Sequence, residues 1–258
     1  MTRAECHREF MRILSAASRT ADQRGVFCDF CRAASLSLRG VLTHGAEKQA
    51  IETEYAAIVA EYGRDGMAAF SQMLAVTVEA LEAKRSDFLG HIYEELNATN
   101  KHFGQFFTPD SVSRLMGEIT IGKPVPGQIV TLADPAAGAG ALLIEGAEHF
   151  IATGGRQGDI LISADDLDST ACCIAYIQLS LLGYAAIVRR MDSLRMEVYE
   201  GPWFTFGYFA HSMPMRLRPS KPMGATAPAS PALPPISRHN TPEAPEGISR
   251  ATQLTLAL

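Results

Sequence analysis

Three short apolar runs, separated by helix-like segments, constrain the fold of this chain most strongly. Gln128–Ala133, Ile160–Ala164 and Ala186–Val188 have the composition of buried strands. The segments between them, Ala141–Phe150 and Ser169–Leu182, are long and apolar enough to form helices. Parallel strands buried on both faces show such runs, and helical crossovers connect them. The pattern predicts an α/β fold with a parallel sheet.

The first 100 residues show helical spacing instead, and no alternating strand pattern precedes residue 125. One set of apolar residues repeats every three or four positions: Met67, Phe70, Leu74, Val78 and Leu81. A second set follows a break at residues 85–87: Phe88, Leu89, Ile92, Tyr93 and Leu96. We predict a helical N-terminal domain over residues 1–100 and an α/β core over residues 101–210.

The C-terminal segment has a different composition. Residues 214–258 hold nine of the 14 prolines and few apolar anchors, so we predict a disordered Pro-rich tail over residues 211–258. This tail carries five Lys/Arg and two Glu, whereas the other 210 residues carry a net charge of −8. Because phosphate contacts dominate DNA affinity, an acidic body argues against strong DNA binding by this chain alone.

Several classes of protein and site are disfavoured. The sequence has no run of 18 apolar residues and no apolar leader at its start, so neither a membrane span nor a signal peptide is predicted. Five cysteines without a framework spacing indicate a reducing cytoplasm. Cys28 and Cys31, with Cys6, His7 and His44 elsewhere, lack the second pair of a zinc site, so no metal is predicted. Cys172 and Cys173 are expected to be core residues.

A glycine-containing turn, Asp134–Gly140, follows the first predicted strand. Glycines between a strand and a helix let a ligand approach the backbone at the carboxyl edge of the sheet, although many such turns are merely tight connections. Leu143 occupies the position where a dinucleotide fingerprint has its third glycine. The sequence also has no Gly-Lys-Ser/Thr loop for a triphosphate. Neither of these ligands is therefore predicted.

Acidic residues follow the second and third strands. Asp165, Asp166 and Asp168 come directly after the second, and Asp192 follows the third. A carboxylate at such a place can accept hydrogen bonds from ribose hydroxyls. The alternative is a solvated turn that also caps the next helix, with Asp168 as the N-cap.

A third segment, Gly104–Pro109, precedes the sheet. Thr108 and Pro109 have the residue types of a helix start. That interpretation leaves the glycine and the aromatic pair, Phe106 and Phe107, without an explanation.

Together these segments resemble a known family. DFLGHIYEEL, GQFFTPDSVSRLMGEI and DPAAGAGALLIEGAEHF are similar to the modification subunits of type I restriction-modification systems and to their N6-adenine DNA methylase relatives. The resemblance extends from about Asp87 to Leu194. It implies a Rossmann-like, S-adenosylmethionine-dependent methyltransferase core, with DNA and possible restriction-modification subunits as partners.

The resemblance also implies which residues hold S-adenosylmethionine. The segment that closes over its methionine end comprises Gln105, Phe106, Phe107, Thr108 and Pro109. The first-strand motif around its carboxylate and ribose comprises Asp134, Pro135, Ala136, Gly138 and Gly140. Asp166 corresponds to the acidic residue that binds the ribose hydroxyls. Asp192, Ser193 and Leu194 correspond to the motif beside the adenine ring.

One departure from the family concerns catalysis. The family's Asn-Pro-Pro-Tyr/Phe motif holds the target adenine, because the poorly nucleophilic N6 must be aligned for transfer. Nothing after Leu194 matches it, and Gly201–Phe204 lacks the Asn and the second Pro. We therefore predict a truncated core without catalytic residues of its own. Three hypotheses remain: a methyltransferase with weak or no turnover alone, a non-catalytic cofactor-binding or interaction protein, and a gene remnant.

Overall fold

The computed structural model describes residues 1–18, 22–98, 124–125 and 127–217. Four helices come first, and an α/β arrangement follows. The helices are α1 (Arg3–Ser18), α2 (Gln23–Gly40), α3 (Gly45–Ala83), α4 (Leu89–Ala98), α5 (Ala141–Ala152), α6 (Ser169–Leu181) and α7 (Phe206–Leu217). The strands are β1 (Val130–Asp134), β2 (Ile160–Asp166), β3 (Ala186–Asp192) and β4 (Glu197–Phe204).

The four strands form one sheet in the order β1-β2-β3-β4. β1 pairs with β2 and β2 with β3 in parallel, with Val130 opposite Ile160 and Ile162 opposite Ala186. The α5 and α6 crossovers connect them, which confirms the parallel sheet predicted from the apolar runs. β4 pairs antiparallel with β3, with Asp192 opposite Glu197. The α/β class is thus confirmed, whereas the truncation of the core stays a prediction.

β4 is a strand that the sequence pattern did not predict. Its residues, EVYEGPWF, contain two Glu and an internal Gly-Pro pair, and most of its side chains are exposed. Proline and glycine both weaken a strand and favour the edge of a sheet, which is where β4 lies among the described strands. Two arginines fix it there: Arg32 of α2 and Arg190 of β3 bind Glu200 at 2.9 and 3.1 Å.

The helical part is built on an aromatic cluster. Phe10 of α1 makes edge contacts with Phe27, Phe30 and Phe88, at centroid distances of 5.6–6.1 Å. Tyr93 of α4 stacks on Phe27 at 5.9 Å. These rings are all buried, and such pairs each add about 0.5–1.5 kcal/mol to the free energy of burial. They hold α1, α2 and α4 together.

The predicted helical faces are partly correct. All five residues of the second set, Phe88 to Leu96, are buried, as expected for α4 and its approach. In α3 the buried face is rotated from the predicted one, since Met73, Thr77 and Ala80 are buried while Leu74 and Val78 are only partly so. The Thr77 hydroxyl donates to the Met73 carbonyl at 2.8 Å, which lets this polar side chain lie in the core.

The helical part and the sheet share one continuous hydrophobic core. α2 packs against α6, and the Ser35 hydroxyl of α2 lies 3.3 Å from the Cys173 thiol of α6. Cys172 and Cys173 are buried, as predicted.

The domain division at residue 100 stays a prediction. α7 ends at Leu217, and the Pro-rich segment after it lies outside the described residues. Among the described residues, none of the helices combines the length and the hydropathy that a membrane span requires.

Candidate functional site

Three aspartates lie at one edge of the sheet. Asp134, Asp166 and Asp192 are the last residues of β1, β2 and β3. Because these strands are parallel, their carboxyl ends meet at the same edge. Ligands of open α/β sheets bind outside this edge. The structure therefore brings together the acidic residues that the sequence placed after separate strands.

The turn after β1 exposes backbone rather than side chains. Gly138 and Gly140 have φ angles of 53° and 87°, a region that glycine enters without strain. Gly140 is the N-cap of α5 and makes no side-chain cap bond. Pro135 and Ala136 are exposed, and the Ala136 N–H donates to Asp134 Oδ1 at 2.9 Å. A ligand at this turn would meet small residues and the start of a helix.

Asp166 connects the acidic end of β2 to the glycine turn. Its Oδ2 accepts a hydrogen bond from the Gly138 N–H at 2.8 Å, and its Oδ1 accepts one from the Asp168 N–H at 2.8 Å. Each carboxylate oxygen has two lone pairs, so both atoms keep acceptor capacity for a ligand. Asp168 has a different role, since its Oδ1 accepts from the Ala171 N–H at 2.7 Å as the N-cap of α6. The predicted cap is thus confirmed.

The residues after β3 divide into two groups. The Ser193 hydroxyl donates to the Pro135 carbonyl at 2.7 Å, which ties this loop to the glycine turn. Asp192 Oδ1 accepts from the N–H groups of Leu194 and Arg195, both at 3.0 Å. The Leu194 side chain is 98% exposed. Asp192 and Ser193 therefore lie with Asp134 and Asp166, whereas Leu194 lies at the surface.

The aspartates at this edge differ in their ion pairs: Asp192 pairs with Arg195 at 3.6 Å, whereas Asp134 and Asp166 form no ion pair among the described residues. Burial raises the pKa of Asp134, and the neighbouring carboxylates of Asp166 and Asp165 raise it further, against the lowering effect of the Ala136 N–H. Asp165 itself is paired with Arg189 through two bonds of 2.7 and 2.6 Å. A ligand with hydroxyl donors and positive charge would suit the remaining acceptors.

A buried polar network around Gln178 connects the glycine turn to α6, and the sequence did not predict it. The Gln178 amide of α6 donates to Asp87 Oδ1 at 2.9 Å and to the Ala139 carbonyl of the turn at 3.1 Å. Its oxygen accepts from the N–H groups of Phe88 and Leu89 at 2.7 and 3.1 Å. Gln178 is fully buried in a helix of otherwise small or apolar residues. A lone amide in such a helix was the available signal.

Residues 201–204, whose sequence is the most similar to the missing catalytic motif, lie away from this edge. Trp203 of β4 is 2% exposed and makes an edge contact with Tyr176 at 6.1 Å between centroids. Its register partner is Val188, which lies four residues before Asp192 on β3. Trp203 is therefore a core residue. That residues 201–204 do not replace the motif stays a prediction.

Two further predictions concern the segment Gln105–Pro109 and the cysteine pair of α2. Gln105, Phe106, Phe107, Thr108 and Pro109, the segment expected to close over the ligand, lie outside the described residues. Cys28 and Cys31 are free thiols of α2. The described residues contain no group of three or more side chains that could hold a metal ion.

Comparison with known proteins identifies the segment that carries this edge. Residues 84–202 match the family model described as N-6 DNA Methylase, which confirms the resemblance predicted from the motifs. No match was found among curated proteins.

One similar solved structure is that of the type I restriction-modification system methyltransferase subunit from Streptococcus thermophilus, with 15% identity and a TM-score of 0.40. The similarity covers 71% of this chain and 57% of that one, so this chain spans little more than half of its length.

Proposed function

Because residues 84–202 match the N-6 DNA methylase family, we propose that this chain binds S-adenosylmethionine at the carboxyl edge of its sheet. The observation that carries the proposal is the hydrogen bond between Asp166 and the Gly138 N–H, which joins two of the family's cofactor motifs. S-Adenosylmethionine has two ribose hydroxyls, an ammonium group and a positively charged sulfonium. Asp134 and Asp166 provide acceptors and negative charge for these groups, and Asp192 adds a third carboxylate, which is paired with Arg195.

Correspondence with the family's motifs assigns a part of the cofactor to each group of residues. Asp166 accepts hydrogen bonds from the ribose hydroxyls through the lone pairs that the N–H groups of Gly138 and Asp168 leave free. The turn Asp134–Gly140 holds the methionine carboxylate and the ribose, with Gly138 and Gly140 allowing close approach. Asp192 and Ser193 lie beside the adenine ring, and Leu194 would have to turn inward to join them. Gln105–Pro109 covers the methionine end. The bound cofactor supplies an activated methyl group.

The proposed reaction class is methyl transfer to N6 of adenine in DNA, with weak or no turnover by this chain alone. Alignment of the acceptor base needs a hydrogen-bonding amide and a stacking aromatic ring. The sequence has no Asn-Pro-Pro-Tyr/Phe motif, and Trp203 is committed to the core. The net charge of −8 outside the tail also disfavours DNA capture. DNA and a restriction-modification subunit that supplies these parts are the proposed partners, in the cytoplasm.

A second candidate function follows from the same observation about Trp203. A chain that binds the cofactor but cannot align an adenine would act as a non-catalytic S-adenosylmethionine-binding or interaction protein. It would work with or against a complete restriction-modification system.

A methyl-transfer assay separates these candidates. The chain is incubated with labelled S-adenosylmethionine and DNA of mixed sequence, with and without candidate partner subunits. The split-enzyme proposal predicts label in N6-methyladenine only when the partner is present. Label in neither reaction, with cofactor binding intact, supports the non-catalytic candidate.

A further inference from the structure

A small cleft lies near the amino end of β3, away from the cofactor edge. It has a volume of about 150 Å³ and is enclosed by the end of α2, the start of α3, β4 and α7. Its wall includes Trp203, whose register partner Val188 precedes Asp192 by four residues. At 3.3 Å per residue the cleft is therefore about 13 Å along β3 from the edge that carries Asp192.

A buried arginine with two guanidinium nitrogens that lack a hydrogen bond among the described residues lines this cleft. Arg39 is 8% exposed, and its guanidinium carbon lies 4.2 Å from the centroid of the Trp203 ring. Its Nε and Nη1 atoms are buried and have no hydrogen-bond partner among the described residues. The ring and the C-terminal end of α2 stabilise the positive charge, but neither accepts a hydrogen bond from these atoms.

Arg32 lies near the same tryptophan ring, but its guanidinium has carboxylate partners. Its guanidinium carbon is 6.0 Å from the Trp203 centroid, and it binds Glu54 at 2.5 and 2.9 Å and Glu200 at 2.9 Å. Those hydrogen bonds raise the pKa of Arg32 in spite of burial, whereas burial lowers the pKa of Arg39. The two cations thus differ in their hydrogen bonds: Arg32 binds the carboxylates of Glu54 and Glu200, whereas Glu47 acts on Arg39 through its charge alone.

The start of α3 contributes a second positive feature to the cleft. His44 is the N-cap of this helix and makes no side-chain cap bond, so the first N–H groups of α3 lack that partner. Helix N-termini attract anions through these groups and the helix dipole. His44 also lines the cleft, and Glu47 is the one carboxylate of its lining among the described residues. The Thr43 hydroxyl donates to the Arg39 carbonyl at 3.2 Å.

We propose that this cleft binds a small oxyanion, a phosphate or a carboxylate, between Arg39 and the first turn of α3. The volume of about 150 Å³ is large enough to admit one such group. Leu42, Phe204 and Phe209 form apolar walls that suit a short apolar substituent on the anion. The site is independent of the proposed cofactor edge.

Calorimetric titration with inorganic phosphate and with acetate, at constant ionic strength set by chloride, tests the proposal. We expect saturable binding of at least one anion, on the order of millimolar. Arg39→Met should weaken it at least tenfold. Arg12→Met, which removes a solvent-exposed arginine of α1, is the matched control and should leave binding unchanged.

A second variant keeps the test decisive if Arg39→Met does not fold. Glu47 is exposed, so Glu47→Gln should fold normally and should tighten binding by roughly two- to fivefold, because it removes the competing carboxylate. Phosphate and acetate compared side by side distinguish the two anion sources. Non-saturable binding of both, or binding that Glu47→Gln leaves unchanged, overturns the proposal.

Discussion

Asp166 Oδ2 lies 2.8 Å from the Gly138 backbone nitrogen, so the carboxylate that ends β2 holds the glycine turn that follows β1. This bond gives Asp166 two roles, one in shaping the turn and one in the proposed recognition of the ribose. Asp168, two residues away, is the N-cap of α6. A variant of Asp168 therefore provides a control for the structural role of Asp166.

Asp166→Ala should weaken S-adenosylmethionine binding by ten- to a hundredfold, about 1.5–3 kcal/mol, because hydrogen bonds to the ribose are lost. The measurement is calorimetric titration of the purified variant. Asp168→Ala is the matched control: it removes a cap worth about 1 kcal/mol of stability and should change affinity little. Equal losses of affinity in the two variants would show that Asp166 acts only through folding.

Asp134→Asn should raise the melting temperature at neutral pH while weakening cofactor binding. A pKa raised by burial means that the folded chain holds this proton more tightly than the unfolded chain. The stability that Asp134 contributes is therefore present at low pH and is lost as pH rises from the ordinary aspartate value, about 3.9, through the raised pKa. Thermal melts at several pH values check this, and a lower melting temperature for Asp134→Asn at pH 7 would contradict it.

Gly90→Ala should destabilise the fold by about 1–3 kcal/mol. A Cβ at this position would lie 2.1 Å from Asp87 Oδ2 and 2.6 Å from the Ala139 Cβ, so α4 would have to move away from the glycine turn. Urea denaturation measures the effect. Gly25→Ala in α2 is the control, since its nearest atom would be 3.9 Å away and helix propensity favours alanine. A neutral Gly90→Ala would mean that α4 does not pack on the turn this closely.

Gln178→Leu should cost about 2–5 kcal/mol, because four buried polar groups lose their partner at once. The same urea experiment applies, with Gln72→Leu on the exposed side of α3 as the comparison. If the two variants were equally stable, the network behind the glycine turn would not contribute to the fold.

The parallel strands and the three aspartates could be predicted from the sequence because each signal is local. β1, β2 and β3 are apolar runs, and Asp134, Asp166 and Asp192 end them. β4 could not be predicted, since its stability comes from pairing with β3 and from Arg32, which is 168 residues away from Glu200. The bond from Gly138 to Asp166 depends on the register of two strands, which no local pattern specifies.

The sequence also could not predict that Nε and Nη1 of Arg39 are buried without a hydrogen-bond partner among the described residues. Arg39 stands in the last turn of α2, where a basic residue is ordinary. Its burial against Trp203 requires the antiparallel β4 that the pattern missed. The rotation of the buried face of α3 has the same kind of origin, because α1 and α2 both pack on this helix and select Met73 and Thr77 for the core.

The isolated chain should not methylate DNA at a useful rate. Loss of one positioned transition-state hydrogen-bond donor costs on the order of a hundred- to a thousandfold in other enzymes, and here the amide and the stacking ring are missing together. Formation of N6-methyladenine is compared between the unmodified chain and Asp134→Ala. Robust methylation by the former and none by the latter would mean that a segment after Leu194 stands in for the lost motif.

Calorimetric titration of the unmodified chain with S-adenosylmethionine, repeated with S-adenosylhomocysteine, tests the central claim most directly. The arrangement of Asp134, Asp166 and the glycine turn predicts saturable binding of one molecule per chain, weakened by Asp166→Ala. A folded, unmodified chain that binds neither compound would contradict the proposed cofactor site.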